Sequence, residues 1–332
     1  KLQRVLVSPQ KPMGNSWPKP WAKLKELTAI EVYNKLQDTR ELILVVDATL
    51  EDCGDVNEEA EVSFLSPERF KQLLLKVISK RRARGWTVVV MGDDNKTHCA
   101  RDLQHWIYKH GFGSCDDSSD LVKDVCELEG GVDGFYSLFP WLSPQHAYFE
   151  AGRLYPSLIF RDGSSLFLSN FGVASDPYIY RALDIKYVVN CSRDLPFVDE
   201  VVSILRERNA KMVHSTPFPP INTDHADHVD LKARLRVPVD DSCDYQICEY
   251  FAESVNFISD CMSKQDGHIL IHCKHGQSRS ATIAAAFLLN ESRKRSPTSL
   301  QEVLSKLKSC RPRVSPNEGF LKQLHSFEGA IS

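Results

Sequence analysis

Gly267-His-Ile-Leu-Ile-His-Cys-Lys-His-Gly-Gln-Ser-Arg-Ser-Ala-Thr-Ile-Ala-Ala-Ala-Phe-Leu-Leu289 decides how the rest of this chain is read. His268 to His272 is a short apolar run of the kind that forms a buried strand. From Ser280 onward the chain is rich in Ala and Leu, which favour helix. Between them lie Cys273 to Arg279, with one Gly and no acid. A strand, a tight loop and a helix in that order turn unpaired backbone N–H groups toward the loop, and these together with the helix dipole bind anions. The spacing predicts a phosphate cradle at residues 274–279.

The loop also carries reactive groups. Cys273, set among N–H dipoles and beside Arg279, is expected as a thiolate at neutral pH. A thiolate attacks phosphorus and divides one difficult displacement into two easier ones. The planar guanidinium of Arg279 suits two phosphate oxygens at once. Gly276 supplies the positive φ that an inward turn of the backbone requires. Ser280 can donate its hydroxyl to the sulfur as that sulfur leaves in the second step.

His-Cys-Lys-His-Gly-Gln-Ser-Arg-Ser resembles the His-Cys-x5-Arg-Ser loop of protein tyrosine phosphatases, in the Gly-x-Ser-Arg-Ser form of the dual-specificity phosphatases. The resemblance implies Cys273, Arg279, Asp241 and Ser280 as catalytic residues. It makes Lys274, His275, Gly276, Gln277, Ser278 and Arg279 the phosphate cradle, with His272 and Asn317 as supports. It implies no cofactor and no metal. Asp241 enters through Leu235-Arg-Val-Pro-Val-Asp-Asp-Ser242, which resembles the family's strand and acid loop, with Asp240 as the alternative. A protonated carboxyl there would donate to the leaving oxygen. Asn317 lies in Arg311-Pro-Arg-Val-Ser-Pro-Asn317, similar to the family's closing segment, where the Asn braces the phosphate loop. Lys274 and His275 depart from the usual loop and add positive charge at the rim, as multiply charged substrates would favour.

Outward from this segment, the fold class is α/β in two domains. Residues 1–22 contain four prolines and read as a tail. Residues 23–145 alternate helix and strand: Leu27–Leu36 with Thr28 as N-cap and Glu31 three residues on, a strand at 41–47, a helix from Ser66, a strand at Trp86–Met91, a helix near 99–111 and a strand near 124–131. This order, with Asp47 and the pair Gly130-Gly131, resembles a rhodanese-like domain. Its loop 92–99 is acidic and its Cys99 comes too late for sulfur transfer, so the domain is read as non-catalytic. Rhodanese-like plus dual-specificity is the layout of MAP kinase phosphatases, which makes a MAP kinase a candidate partner through Lys80-Arg-Arg-Ala-Arg84. Cations at a helix end also offset its dipole without any partner. Phe139–Pro144 reads as the linker.

The resemblance implies a dual-specificity domain over residues 152–332. The segment from Leu166 to Asp176, with Ser169 where Gly is usual, resembles serine/threonine/tyrosine-interacting-like proteins, which lack the catalytic Cys; this chain has it. The loop 215–230 holds His225, His228, Asp224 and Asp227, without a metal-ligand spacing.

Net charge is −3, with 26% charged residues, so the composition carries no sign of bulk nucleic-acid binding. No apolar run is long enough to span a membrane. Ten cysteines are scattered without a Cys-x2-Cys pair, the pattern of a reducing compartment, and a cytoplasmic setting is expected. The reaction these features imply is hydrolysis of phosphotyrosine and phosphoserine or phosphothreonine through a phosphocysteine. The alternatives are a phosphoinositide or other non-protein phosphatase, and a phospho-binding scaffold.

Overall fold

A computed structural model describes residues 5–7, 24–38, 43–47, 63–65, 86–91, 122–143, 146, 153–212 and 229–331. Outside them lie the expected helices from Ser66 and near 99–111, the basic run Lys80–Arg84, the loop with Cys99, and His225, His228, Asp224 and Asp227. The chain divides into two compact units, Lys1–Arg153 and Leu154–Ser332.

The first unit is built on a six-stranded sheet in the order β2-β6-β5-β3-β1-β4. Its strands are β1 (Val5–Val7), β2 (Lys25–Leu27), β3 (Ile43–Asp47), β4 (Ser63–Leu65), β5 (Trp86–Met91) and β6 (Val122–Leu128). All pairings among them are parallel. Helix α1 (Ala29–Gln37) opens with the expected capping box: Glu31 N–H donates to Thr28 Oγ1, and Thr28 N–H to the Glu31 carboxylate. Helix α2 (Gly131–Leu138) follows β6 through Gly130 and Gly131, both at positive φ.

Two expectations change here. Val5–Val7, inside the stretch read as a tail, pairs with β3 and β4, so that stretch contributes a strand to the sheet. Within Phe139–Pro144, read as a linker, the described residues 139–142 instead close the first unit's core. Phe139, Trp141 and Leu142 are buried, and Phe139 stacks on Tyr33 with ring centroids 4.3 Å apart. Large apolar rings between prolines gain more from burial than from bridging two domains.

The second unit holds a five-stranded sheet in the order β10-β9-β11-β8-β7. Its strands are β7 (Ser157–Asp162), β8 (Ser164–Asn170), β9 (Ile185–Asn190), β10 (Ala233–Arg236) and β11 (His268–Cys273). Only the β7–β8 hairpin is antiparallel; the other pairings are parallel. The helices are α3 (Phe171–Ala174), α4 (Pro177–Ala182), α5 (Val198–Met212), α6 (Phe251–Lys264), α7 (Arg279–Arg293), α8 (Leu300–Cys310) and α9 (Glu318–Ile331). Asp176 caps α4, accepting from Tyr178 N–H at 3.0 Å.

Strand β11 is central, covered on both faces, and so reads as an unbroken apolar run rather than an alternating one. Helix α7 is buried from Arg279 to Leu289. Its alanines at 281 and 284–286 let neighbouring helices approach closely, and Phe287, 1% exposed, contributes about 2–3 kcal/mol by leaving water. The core thus clamps the strand before the loop and the helix after it. The loop between them is held at both ends.

Candidate active site

Cys273 closes β11 and is 1% exposed. Two donors reach its sulfur: Gly276 N–H at 3.2 Å and Ser280 Oγ at 3.1 Å. Both present hydrogen to Sγ, the polarity that a negatively charged sulfur takes. Gly276 adopts φ +65, and a Cβ at that position would lie 2.4 Å from the backbone oxygen of Ser169. Ser169 is buried on β8, paired with His272, so the loop and the neighbouring strand are in backbone contact.

Every carbonyl from Lys274 to Ser278 is engaged by a partner. Phe171 N–H donates to Lys274 O at 3.2 Å, Ser315 N–H to Gln277 O at 2.9 Å, and Thr282 N–H to Ser278 O at 2.8 Å. Arg311 supplies the other two, from Nε to Gly276 O at 2.8 Å and from Nη2 to His275 O at 3.4 Å. A planar trans peptide sends each following N–H the opposite way from the carbonyl. With the oxygens held by these partners, the peptide geometry turns the following N–H groups away from them, and Gly276 N–H points at Sγ. Lys274 and His275 have exposed side chains above this loop.

Ser278 occupies the N-cap of α7, yet its hydroxyl makes no cap bond. It donates instead to Asp241 Oδ1 at 2.6 Å. Asn317 Nδ2 donates to the same oxygen at 3.1 Å, and Asn317 N–H to Ser278 Oγ at 3.3 Å. The Asn317 side-chain oxygen accepts from Phe320 N–H at 2.9 Å, which ties the group to the first turn of α9. Asp241 is therefore joined to the loop through Ser278, while its neighbour Asp240 pairs outward with Arg193 at 3.0 Å. The two carboxylates face different partners.

Arg279 is 8% exposed. Its Nη1 donates to Val239 O at 3.3 Å, and its Nε lies 3.7 Å from Asp241 Oδ2 with no hydrogen-bond partner. A buried guanidinium N–H left unmatched is costly, and an anion in front of the loop would satisfy it. His272, one residue before the sulfur, is 1% exposed, and its burial, with Arg236 adding to it, lowers its pKa to about 4. At neutral pH its ring is uncharged. Among the described residues, no group of three or more His, Cys, Asp or Glu could hold a metal ion, and no helix is long and apolar enough to cross a membrane.

All eleven residues expected from sequence fall on this loop, beside it, or on the acid segment that meets it. Sequence reasoning missed Arg311, which holds two of the five loop carbonyls. Its signal was present at the head of the Arg-Pro segment, but nothing local shows which backbone a distant guanidinium reaches. The backbone donors of Phe171 and Ser315 and the acceptor of Val239 carry no side-chain signature at all.

A family model described as dual specificity phosphatase, catalytic domain, matches residues 166–330. Dual specificity protein phosphatase 5 of Homo sapiens is 40% identical over 95 residues, which cover 29% of this chain and 23% of that relative. Dual specificity protein phosphatase 1 of Arabidopsis thaliana is 41% identical over 95 residues, 29% of this chain and 46% of the relative. The chain thus spans less than half the length of either. A solved form of human DUSP28 is 26% identical, with a TM-score of 0.38 over 53% of this chain and 96% of that one. Residues 166–330, which carry the Cys273 loop, are thus similar to the dual specificity phosphatase catalytic-domain family.

Proposed function

We propose that the chain hydrolyses phosphotyrosine and phosphoserine or phosphothreonine in proteins through a phosphocysteine intermediate. The observation that carries this reading is the loop 274–278, whose carbonyls all have hydrogen-bond partners while Gly276 N–H and Ser280 Oγ donate to Cys273 Sγ. Amides held in advance around a developing phosphoryl charge stabilise the transition state without reorganising. Cys273 attacks phosphorus, and Arg279 holds two equatorial oxygens through its fork. Asp241 gives its proton to the leaving oxygen, then takes one from the water that hydrolyses the phosphocysteine. Ser280 donates to the sulfur as it departs in that second step.

His272 and Asn317 act at one remove, His272 as an uncharged spacer behind the sulfur and Asn317 by holding the acid. The exposed side chains of Lys274 and His275 support substrates with a second anionic group near the first. Diphosphorylated peptides compared with phosphoinositide vesicles separate the protein reading from the lipid one. For the first unit we propose a non-catalytic, rhodanese-like role in partner binding. Pull-down of MAP kinases by wild type but not by an Arg81→Ala/Arg82→Ala/Arg84→Ala chain would support it.

The test of the main reading is turnover of a small aryl phosphate. Wild type turns it over, and Cys273→Ser does not, while the substituted protein still binds orthovanadate through the loop and Arg279. A wild-type chain without turnover that still binds phosphopeptides would make it a scaffold.

A further inference from the structure

Asp241 stands on a stretch of chain with little packing of its own. Val239 and Ile247 are fully buried, whereas residues 240–246 between them are all half-buried or exposed. Apolar contacts therefore fix the two ends of this segment but not its middle, where the carboxylate sits. Hydrogen bonds are left to set its position.

Helix α9 supplies them. Gln323 donates from Nε2 to Tyr245 O at 2.8 Å, and its Oε1 accepts from Cys248 N–H at 2.9 Å. A backbone carbonyl needs a donor and a backbone N–H needs an acceptor, so an amide matches both where a carboxylate or an amine fails one. Gly319 lies one turn earlier on the same face of α9. A Cβ there would overlap Cys243 O and lie 2.5 Å from Cys243 C, so the backbone of the segment rests directly on the helix. Asn317, just before α9, donates to Asp241 itself. The Tyr245 hydroxyl closes the segment on its own start, donating to Pro238 O at 3.0 Å. Phe320 and Leu324, beside Gly319 and Gln323 in sequence, are fully buried and hold the helix from which this face projects.

We infer that Gln323 is a positioning residue for the proton donor. It ties the segment 240–248 to α9, so that Asp241 is set against the loop before any substrate arrives. The inference rests on Asp241 being the general acid. Without the two Gln323 bonds the middle of the segment loses its register on α9, and a small misplacement of a reacting group costs rate steeply. The loop carbonyls keep their own partners, so attack by Cys273 and the grip of Arg279 are spared. The competing reading is a staple that contributes stability and nothing to proton transfer.

The experiment uses the full chain with two substrates: phenyl phosphate, whose leaving oxygen needs a proton, and dinitrophenyl phosphate, which leaves as a stable anion. Gln323→Met keeps the side chain's length and loses both bonds. It should lower kcat on phenyl phosphate by about 10-fold or more, part of the roughly 10²–10⁴ that a proton donor contributes. Turnover of dinitrophenyl phosphate and orthovanadate affinity should stay within about twofold of wild type. In an Asp241→Ala background the same substitution should cost nothing further, because a residue that acts only through the acid has no effect once the acid is gone. Gly319→Ala, which displaces the segment by a different route, should show the same split between substrates. An equal loss on both substrates, or losses for Gln323→Met and Asp241→Ala that multiply, would make Gln323 a staple and overturn the inference. So would a Gln323→Met protein equal to wild type on phenyl phosphate while Asp241→Ala is crippled, an outcome that leaves the acid assignment standing. An Asp241→Ala protein as active as wild type on phenyl phosphate would instead remove the acid assignment, and this inference with it.

Discussion

Replacing Gly276 with Ala tests the backbone logic of the loop. The added Cβ would sit 2.4 Å from Ser169 O, 2.5 Å from Ser169 C and 2.8 Å from Asn170 N. All three are backbone atoms of β8, locked in register against His272 and Cys273, so the neighbour cannot swing aside as a long side chain would. The residue must also hold φ +65, which costs an L-residue about 1–2 kcal/mol. Forced overpacking adds about 1–3 kcal/mol. The loop can escape only by lifting from β8, which surrenders the Arg311 bond to Gly276 O and the Gly276 bond to Sγ.

We expect a stability loss of about 2–5 kcal/mol in the second unit, read by hydrogen exchange of its amides and by urea unfolding. Turnover should fall by about 10²–10³, the worth of a misplaced oxyanion donor. Gly134→Ala is the internal control. Its Cβ meets nothing within 4 Å inside α2, and Ala there should be neutral or stabilise by about 0.5–1 kcal/mol. If Gly276→Ala leaves both stability and turnover near wild type, the contact between loop and β8 does not shape the cradle and the reasoning fails.

Asp241→Ala should lower kcat by about 10²–10⁴ with poor leaving groups and far less with good ones; a larger loss in Asp240→Ala would move the acid role to the residue paired with Arg193. Arg311→Met should weaken orthovanadate binding and lower kcat/KM, because two loop carbonyls lose their donor; unchanged oxyanion affinity would mean that the loop keeps its shape unaided. Stability should depend on His272. Its folded pKa, about 4, lies below the ordinary 6.5, so the unfolded chain binds the proton more readily. The contribution is whole above about pH 6.5 and is lost as pH falls toward 4, by about 3 kcal/mol in all. Urea midpoints at pH 7, 6 and 5 measure this, and His272→Asn should flatten the slope; an equal slope in both proteins would assign it elsewhere.

The strand, loop and helix around Cys273 were legible in the chain because their signals are local. An apolar run, a Gly that must turn, and an Ala-rich helix all act within about twenty residues of each other. The capping box at Thr28 and Glu31 was readable for the same reason. Other features were not. The run from Phe139 resembled a linker because prolines punctuate it, yet its rings belong to a core that Tyr33 completes from far upstream. Val5–Val7 looked like part of a tail because a three-residue strand has no period of its own and depends on β3 and β4 for its pairing. Asp241 and Asp240 have the same local chemistry, and they differ only in what lies opposite, Ser278 for one and Arg193 for the other. Arg311 meets Gly276 across 35 positions of sequence and Ser157 across 154. Residue types and spacing specify which groups can react, because a nucleophile and its cradle sit on one short segment. Which groups hold that segment in shape depends on sheet order and helix packing, since hydrogen bonds act over about 3 Å and only the folded chain brings distant donors that close.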